Sequence, residues 1–145
     1  MKAYRFRLES VLRVRRLQER AATQRLAEAM RSLQHAETES ARARRSLEDM
    51  AAPAGRLTIG ALEWAHAQSA RMSDTARQRA EAAEAAAEAA RQANEAWGSA
   101  RQRTATLERL DERHLALWQT EFERREGAVL DDVATRRAAA EGNPL

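Results

Sequence analysis

A single cluster of helix-breaking residues divides this chain into two unequal parts. Pro53, Ala54 and Gly55 stand together, with Gly60 close behind, in a chain that has only two prolines and five glycines. Proline cannot continue a helix interior, and glycine adopts backbone angles that other residues avoid. Helix-forming residues dominate on both sides of the cluster. We therefore expect a turn at about 51–57 that joins two helices.

The composition is typical of long helices and not of a compact globule. Charged residues make up 32% of the chain and aromatic residues only 4%, so few large apolar side chains are present to fill a core. We expect one domain over 1–145, with a first helix at about 4–50, a second at about 58–138 and a short tail at 139–145. Thr58 is expected to cap the second helix.

Small and apolar residues recur with a heptad period on both predicted helices. In alternating steps of four and three, thirteen positions lead from Leu8 to Met50, and thirteen more lead from Leu62 to Thr104. A stripe that persists over so many heptads is a strong coiled-coil signal. The pattern predicts an all-α fold, an antiparallel two-helix coiled-coil hairpin in which the longer second helix overhangs the first.

One register brings both stripes into contact when the chain folds back at the turn. It sets Leu47 against Leu62 and Ala43 against Ala65, and it places residue 4 opposite residue 104. Large residues then mostly face small ones, which favours close approach of the two helices.

The overhanging end of the second helix, from about Thr106, carries the densest group of large apolar residues. Five of them share one helical face: Leu115, Trp118, Phe122, Val129 and Val133. An unpaired helix with such a face requires a partner. We expect another protein to bind it, and the alternatives are cover by Tyr4 and Phe6 or self-association of the chain.

The N-terminal segment is strongly basic. Residues 1–16 carry six basic side chains against Glu9 alone, which leaves the rest of the chain slightly acidic. Such a segment suits an acidic protein surface, anionic lipid or nucleic acid, and the simplest alternative is a solvated helix face. Because arginines alternate with acids and no aromatic stacking platform is evident, nucleic acid is the least favoured partner.

No arrangement of residues indicates catalysis, a metal or a cofactor. His35, His66 and His114 each lack a second ligand at suitable spacing, and neither phosphate-binding glycine loops nor a nucleophile motif is present. The chain has no cysteine, no apolar run near the ~20 residues of a membrane span, and no signal-peptide pattern. We expect a cytosolic protein that is not an enzyme.

Three segments of the chain resemble the family of the flagellar export protein FliJ, whose injectisome counterparts in the YscO group are similar in architecture. They are YRFRLESVLRVRRLQE, AWGSARQRTATLERLDERH and WQTEFERREGAVLDDVATRR. Their order and spacing match that family over the whole chain. The resemblance implies a soluble, stalk-like component of the flagellar type III export apparatus, at the cytoplasmic side of the inner membrane at the flagellar base, and hence a role in motility and chemotaxis.

The resemblance also implies protein partners: the hexameric export ATPase, the cytoplasmic domain of the export-gate membrane protein, and export chaperones. It places the start of the second helix, at Trp64, Met72 and Ala76, against the gate protein. The residues that it places against the ATPase are Arg5, Phe6, Arg13, Arg16, Leu115, Trp118, Phe122, Arg125, Val129 and Val133. A structural coiled-coil dimer or an adaptor of unrelated function is the alternative, and neither nucleic acid nor a small-molecule substrate is expected.

Overall fold

Two long helices make up the protein. The computed structural model describes residues 3–50 and 54–139 in full, together with the backbone of 140 and 141. These residues form α1, Glu9–Glu48, and α2, Ile59–Glu141, and no strand. The helices pack against each other, so the predicted all-α hairpin with a longer second helix is confirmed. Pro53 lies outside the described residues.

The chain comprises two compact units. The turn unit, Gln18–Ala100, contains the linker between the helices. The terminal unit consists of Met1–Leu17 together with Arg101–Leu145.

In the turn unit, α2 begins at a hydrogen-bonded cap. The backbone N–H of Ala61 donates a hydrogen bond to the hydroxyl oxygen of Thr58 at 3.2 Å, as the sequence predicted. Gly55 has a φ of +99°, a conformation that glycine adopts without a Cβ clash. The helix ends at Glu48 and Ile59 lie close to the predicted boundaries of the turn.

The predicted heptad stripes form the least exposed faces of both helices. All thirteen stripe positions from Leu8 to Met50 are buried or half-buried. On α2 all but two of the thirteen are likewise buried or half-buried, and the exceptions are Leu62 and Arg79. Since many stripe residues are alanines, each position removes little apolar area from water. Stability must therefore come from many small contributions along the stripes.

The turn unit departs from the predicted register. Ala43 and Met72 line the same groove between α1 and α2, whereas the prediction set Ala43 against Ala65, seven residues earlier on α2. Leu62, the predicted partner of Leu47, is 56% exposed. The predicted pairing of Leu47 with Leu62 therefore does not bury Leu62.

The contacts of the terminal unit also depart from the predicted register. Tyr4 forms a hydrogen bond with Asp111, whereas the predicted register placed residue 4 opposite residue 104. A slide of one heptad keeps each stripe position of α1 facing a stripe position of α2. The pattern therefore identifies the packing faces but does not distinguish registers that differ by seven residues.

The first helix begins later than predicted, at Glu9 and not at about residue 4. Residues 3–8 are non-helical and lead into α1 through a hydrogen bond from the N–H of Glu9 to the carbonyl oxygen of Phe6, at 3.3 Å. In a helix, Tyr4 and Phe6 would point to nearly opposite sides, because each residue turns the chain by about 100°. In an extended segment, side chains two residues apart lie on the same side. The non-helical conformation lets both rings contact α2.

Candidate partner-binding surfaces

The N-terminal segment 3–8 is anchored to α2 through two aromatic side chains. The Tyr4 hydroxyl lies 2.6 Å from a carboxylate oxygen of Asp111 and 3.1 Å from its backbone carbonyl oxygen. The Tyr4 ring lies 6.0 Å from that of Trp118, and the Phe6 ring meets His114 edge to face at 6.0 Å. Phe6 is 6% exposed, so it acts as an anchor inside the protein and not as a free contact.

The environment of Tyr4 favours its neutral form. Burial, the hydrogen bond to Asp111 and the negative charge of that carboxylate raise the pKa of Tyr4 to about 12. The hydroxyl therefore remains a hydrogen-bond donor throughout the neutral pH range. No sequence pattern indicates this pair, because Tyr4 and Asp111 are far apart in the chain.

The predicted apolar face of α2 is covered at one end and exposed at the other. Trp118 stacks on Phe122 with ring centroids 5.3 Å apart, and both rings are half-buried. Beyond them, every residue of 123–139 is exposed; we call 123–139 the uncovered segment. Val129 is 62% exposed and Val133 is 48% exposed. The alternative that Tyr4 and Phe6 cover this face holds for Trp118 alone.

An arginine and carboxylate cluster borders this face. Glu121 accepts hydrogen bonds from Nε of Arg124 at 3.0 Å and from Nε of Arg125 at 2.8 Å. These bonds, that of Arg124 first, lower the pKa of Glu121 to about 2. Arg125, a predicted ATPase contact, is therefore oriented by Glu121 on its own helix. Leu115 lies at the edge of the face and is 36% exposed.

The predicted basic contacts near the N-terminus differ in their environments. Arg16 pairs with Glu108 on α2 at 3.1 Å, which ties it to the terminal unit. Arg13 lies 3.8 Å from Glu9, one turn earlier on α1, but 74% of its side chain remains exposed. Arg5 is exposed and lines an open cavity with Arg13. Arg5 and Arg13 are therefore the accessible cations of this set.

The three predicted gate contacts do not share one environment. Trp64 is 70% exposed and lies on the first turns of α2, where Ile59 is 80% exposed. Met72 and Ala76 lie on the packing face and are half-buried. Of the three, only Trp64 offers most of its side chain to a partner.

Sequence reasoning missed a groove of the turn unit. Among its lining residues are three arginines, Arg42, Arg71 and Arg79, and its floor includes Ala43 and Met72. Arg79 was visible in the sequence as a charged residue within the apolar stripe of α2. This charged exception in the stripe was the sequence signal that could have indicated the groove.

The described parts of the chain show neither a metal centre nor a membrane span. Within residues 3–50 and 54–139, no three His, Asp or Glu side chains cluster so that they could hold a metal ion. In the same part of the chain, neither helix is long and apolar enough to cross a bilayer. The features that stand out are protein surfaces.

Comparison with known proteins gives one result. Residues 4–143 match the family model described as "Flagellar FliJ protein". No curated protein and no solved structure matches the chain significantly. The family match covers both units of the structure.

Proposed function

The chain belongs to the FliJ family of flagellar export-related proteins, and on this premise we propose that it is a non-enzymatic stalk that binds the hexameric export ATPase. The uncovered segment of α2 is the observation that carries this proposal. It presents Val129, Leu130 and Val133 to solvent, at 62%, 68% and 48% exposure. Apolar side chains grouped on one helix without cover are typical of a protein-binding site.

The terminal unit is suited to hold such a surface in a defined orientation. Tyr4 and Phe6 secure the chain against α2 next to the Trp118 and Phe122 stack, immediately before the uncovered segment begins. The exposed cations Arg5 and Arg13 lie in the same unit, so a partner with apolar and acidic groups would match it. ATPase binding would then combine apolar contact on α2 with charge attraction at the N-terminal segment.

We further propose that the start of α2 contacts the cytoplasmic domain of the export-gate protein. Three apolar side chains there are exposed: Ile59 at 80%, Leu62 at 56% and Trp64 at 70%. A protein that contacts both the ATPase and the gate acts at the cytoplasmic face of the inner membrane, at the flagellar base. Escort of export chaperones belongs to the same proposal.

The ATPase contact is tested with a charged double variant. Val129→Asp with Val133→Asp places two carboxylates on the proposed apolar contact, and we expect capture of the purified export ATPase to fall about tenfold or more. Ala128→Asp with Thr135→Asp is the matched control, because both positions are exposed on the opposite side of the same turns. Equal capture by the two double variants would rule out this surface.

Self-association is the competing outcome. If the exposed apolar residues pair between two copies, light scattering would give a dimer mass, and Val129→Asp with Val133→Asp would convert it to a monomer. The proposed function instead predicts that this variant leaves the mass of the isolated chain unchanged.

A further inference from the structure

The groove of the turn unit combines an apolar floor with arginine walls. Ala43 of α1 and Met72 of α2 lie at its base, and Arg42, Arg71 and Arg79 line it. Arg79 occupies a position of the α2 stripe where neighbouring stripe residues are apolar or small. Unlike Ala76 and Ala83, its neighbours in the stripe, Arg79 is exposed, so it contributes little to packing between the helices.

Two of the three groove arginines form no ion pair, whereas the third does. Arg42 pairs with Glu39 at 2.7 Å, and the nearby Arg77 pairs with Asp74 at 2.6 Å. Arg71 and Arg79 form no ion pair within the described residues of the chain. Both guanidinium groups are therefore available to an acidic ligand.

The spacing of the two arginines indicates the form of that ligand. They are eight residues apart on α2, which is about 12 Å along the helix axis. A groove between two helices accepts a third helix, with its side chains between those of the pair. A bound helix with carboxylates about two turns apart would reach both arginines and place an apolar residue between them.

We propose that this groove binds an acidic amphipathic α-helix of a protein partner. Its apolar residue rests on Ala43 and Met72, and its carboxylates pair with Arg71 and Arg79. A single-stranded nucleic acid fits the groove less well, because no aromatic ring lines it on which a base could stack. The inference rests on the proposed function only in treating the chain as one that binds other proteins.

The probe is a synthetic fluorescent helical peptide that carries two glutamates about eight residues apart with leucine between them. Titrated with the full chain, it should bind about tenfold more tightly than the same peptide with glutamines, and added salt should weaken the binding. Arg71→Gln with Arg79→Gln should remove most of that advantage. Circular dichroism and thermal melting verify that the variant folds.

The matched control is Arg20→Gln with Arg77→Gln, which removes the same charge from exposed positions outside the groove. It should change peptide affinity less than about twofold. Equal binding of the two peptides, equal loss in the two variants, or no binding of either peptide would overturn the inference. The inference would also be overturned if the chain did not bind the peptide but bound duplex DNA or anionic vesicles, and if Arg71→Gln with Arg79→Gln weakened that binding.

Failure of this inference is distinguishable from failure of the proposed function. ATPase capture depends on the terminal unit, so the groove variant should capture the ATPase as the wild type does. If the ATPase is captured but the glutamate peptide shows no preference, the groove assignment alone is wrong. If the peptide binds selectively but neither the ATPase nor the gate domain is captured, the proposed function is wrong and the groove stands.

Discussion

At the scale of single residues, the ionisation of Tyr4 depends on a contact between distant parts of the chain. Its hydroxyl is half-buried beside the carboxylate of Asp111, so ionisation would place two negative charges together. The raised pKa of Tyr4 means that the folded protein prefers the neutral hydroxyl. Its stabilising effect is complete below the ordinary tyrosine pKa of about 10 and disappears as the pH rises through about 12.

This behaviour can be measured directly because Tyr4 is the only tyrosine. In a titration followed by tyrosinate absorbance, the native protein should show a midpoint near 12, and the denatured protein one near 10. Asp111→Asn keeps a hydrogen-bond acceptor but removes the charge, so its midpoint should fall between the two. A native midpoint at the denatured value would show that the N-terminal segment is not docked.

Local residue chemistry was predictable from the sequence only where the interacting groups are close in the chain. The Thr58 cap and the Arg13 to Glu9 pair follow from spacing along one helix, and both are present. The Tyr4 to Asp111 bond joins distant segments, and it required a non-helical start that helix propensity does not indicate. Tertiary contacts of the aromatic rings outweighed that propensity.

At the scale of the helices, the sequence predicted the packing faces but not their alignment. Every stripe position of α1 is buried or half-buried, as the heptad period predicts. Registers one heptad apart bury the same stripes, so their energies differ only in the individual pairs and in the segments at the ends. The contacts of Tyr4 and Phe6 with α2 distinguish between such registers.

Engineered cysteines test the register, and the absence of native cysteine makes the result unambiguous. Ala43→Cys with Met72→Cys joins residues that line one groove, so its disulfide should form about tenfold faster than that of Ala43→Cys with Ala65→Cys. Oxidation is followed by the loss of free thiol. Faster closure of the second pair would restore the register expected from the sequence.

The charge within the α2 stripe gives a second prediction at this scale. Arg79→Leu retains helix propensity and adds apolar area over Ala43 and Met72, so the free energy of unfolding should rise by about 1 kcal/mol. Urea unfolding measures the change. Arg77→Leu, at an exposed position outside the groove, is the control and should not be stabilising. A loss of stability in Arg79→Leu would mean that the arginine contributes to packing.

At the scale of the whole molecule, burial is sparse and unevenly distributed. Within the described residues only five side chains are buried: Phe6, Leu12, Ala22, Ala90 and Thr104. The apolar residues near both ends of α2 remain exposed, and these are the surfaces proposed to bind partners. The sequence predicted that the far end of α2 is an unpaired apolar segment. How much of this segment other residues cover depends on the helix register and on the docked N-terminal segment, which the sequence pattern does not indicate.

Truncation separates folding from partner binding. Because every residue of 123–139 is exposed, a chain that ends at Phe122 should lose helical signal but less than about 0.5 kcal/mol of unfolding free energy. A chain that ends at Ala105 also lacks Asp111 and Trp118, so its N-terminal segment has no docking site and its melting temperature should fall clearly. Under the proposed function, the chain ending at Phe122 remains stable yet loses ATPase capture. A large loss of stability in that chain would show that 123–139 contributes to folding, and retained capture would exclude it as the ATPase contact.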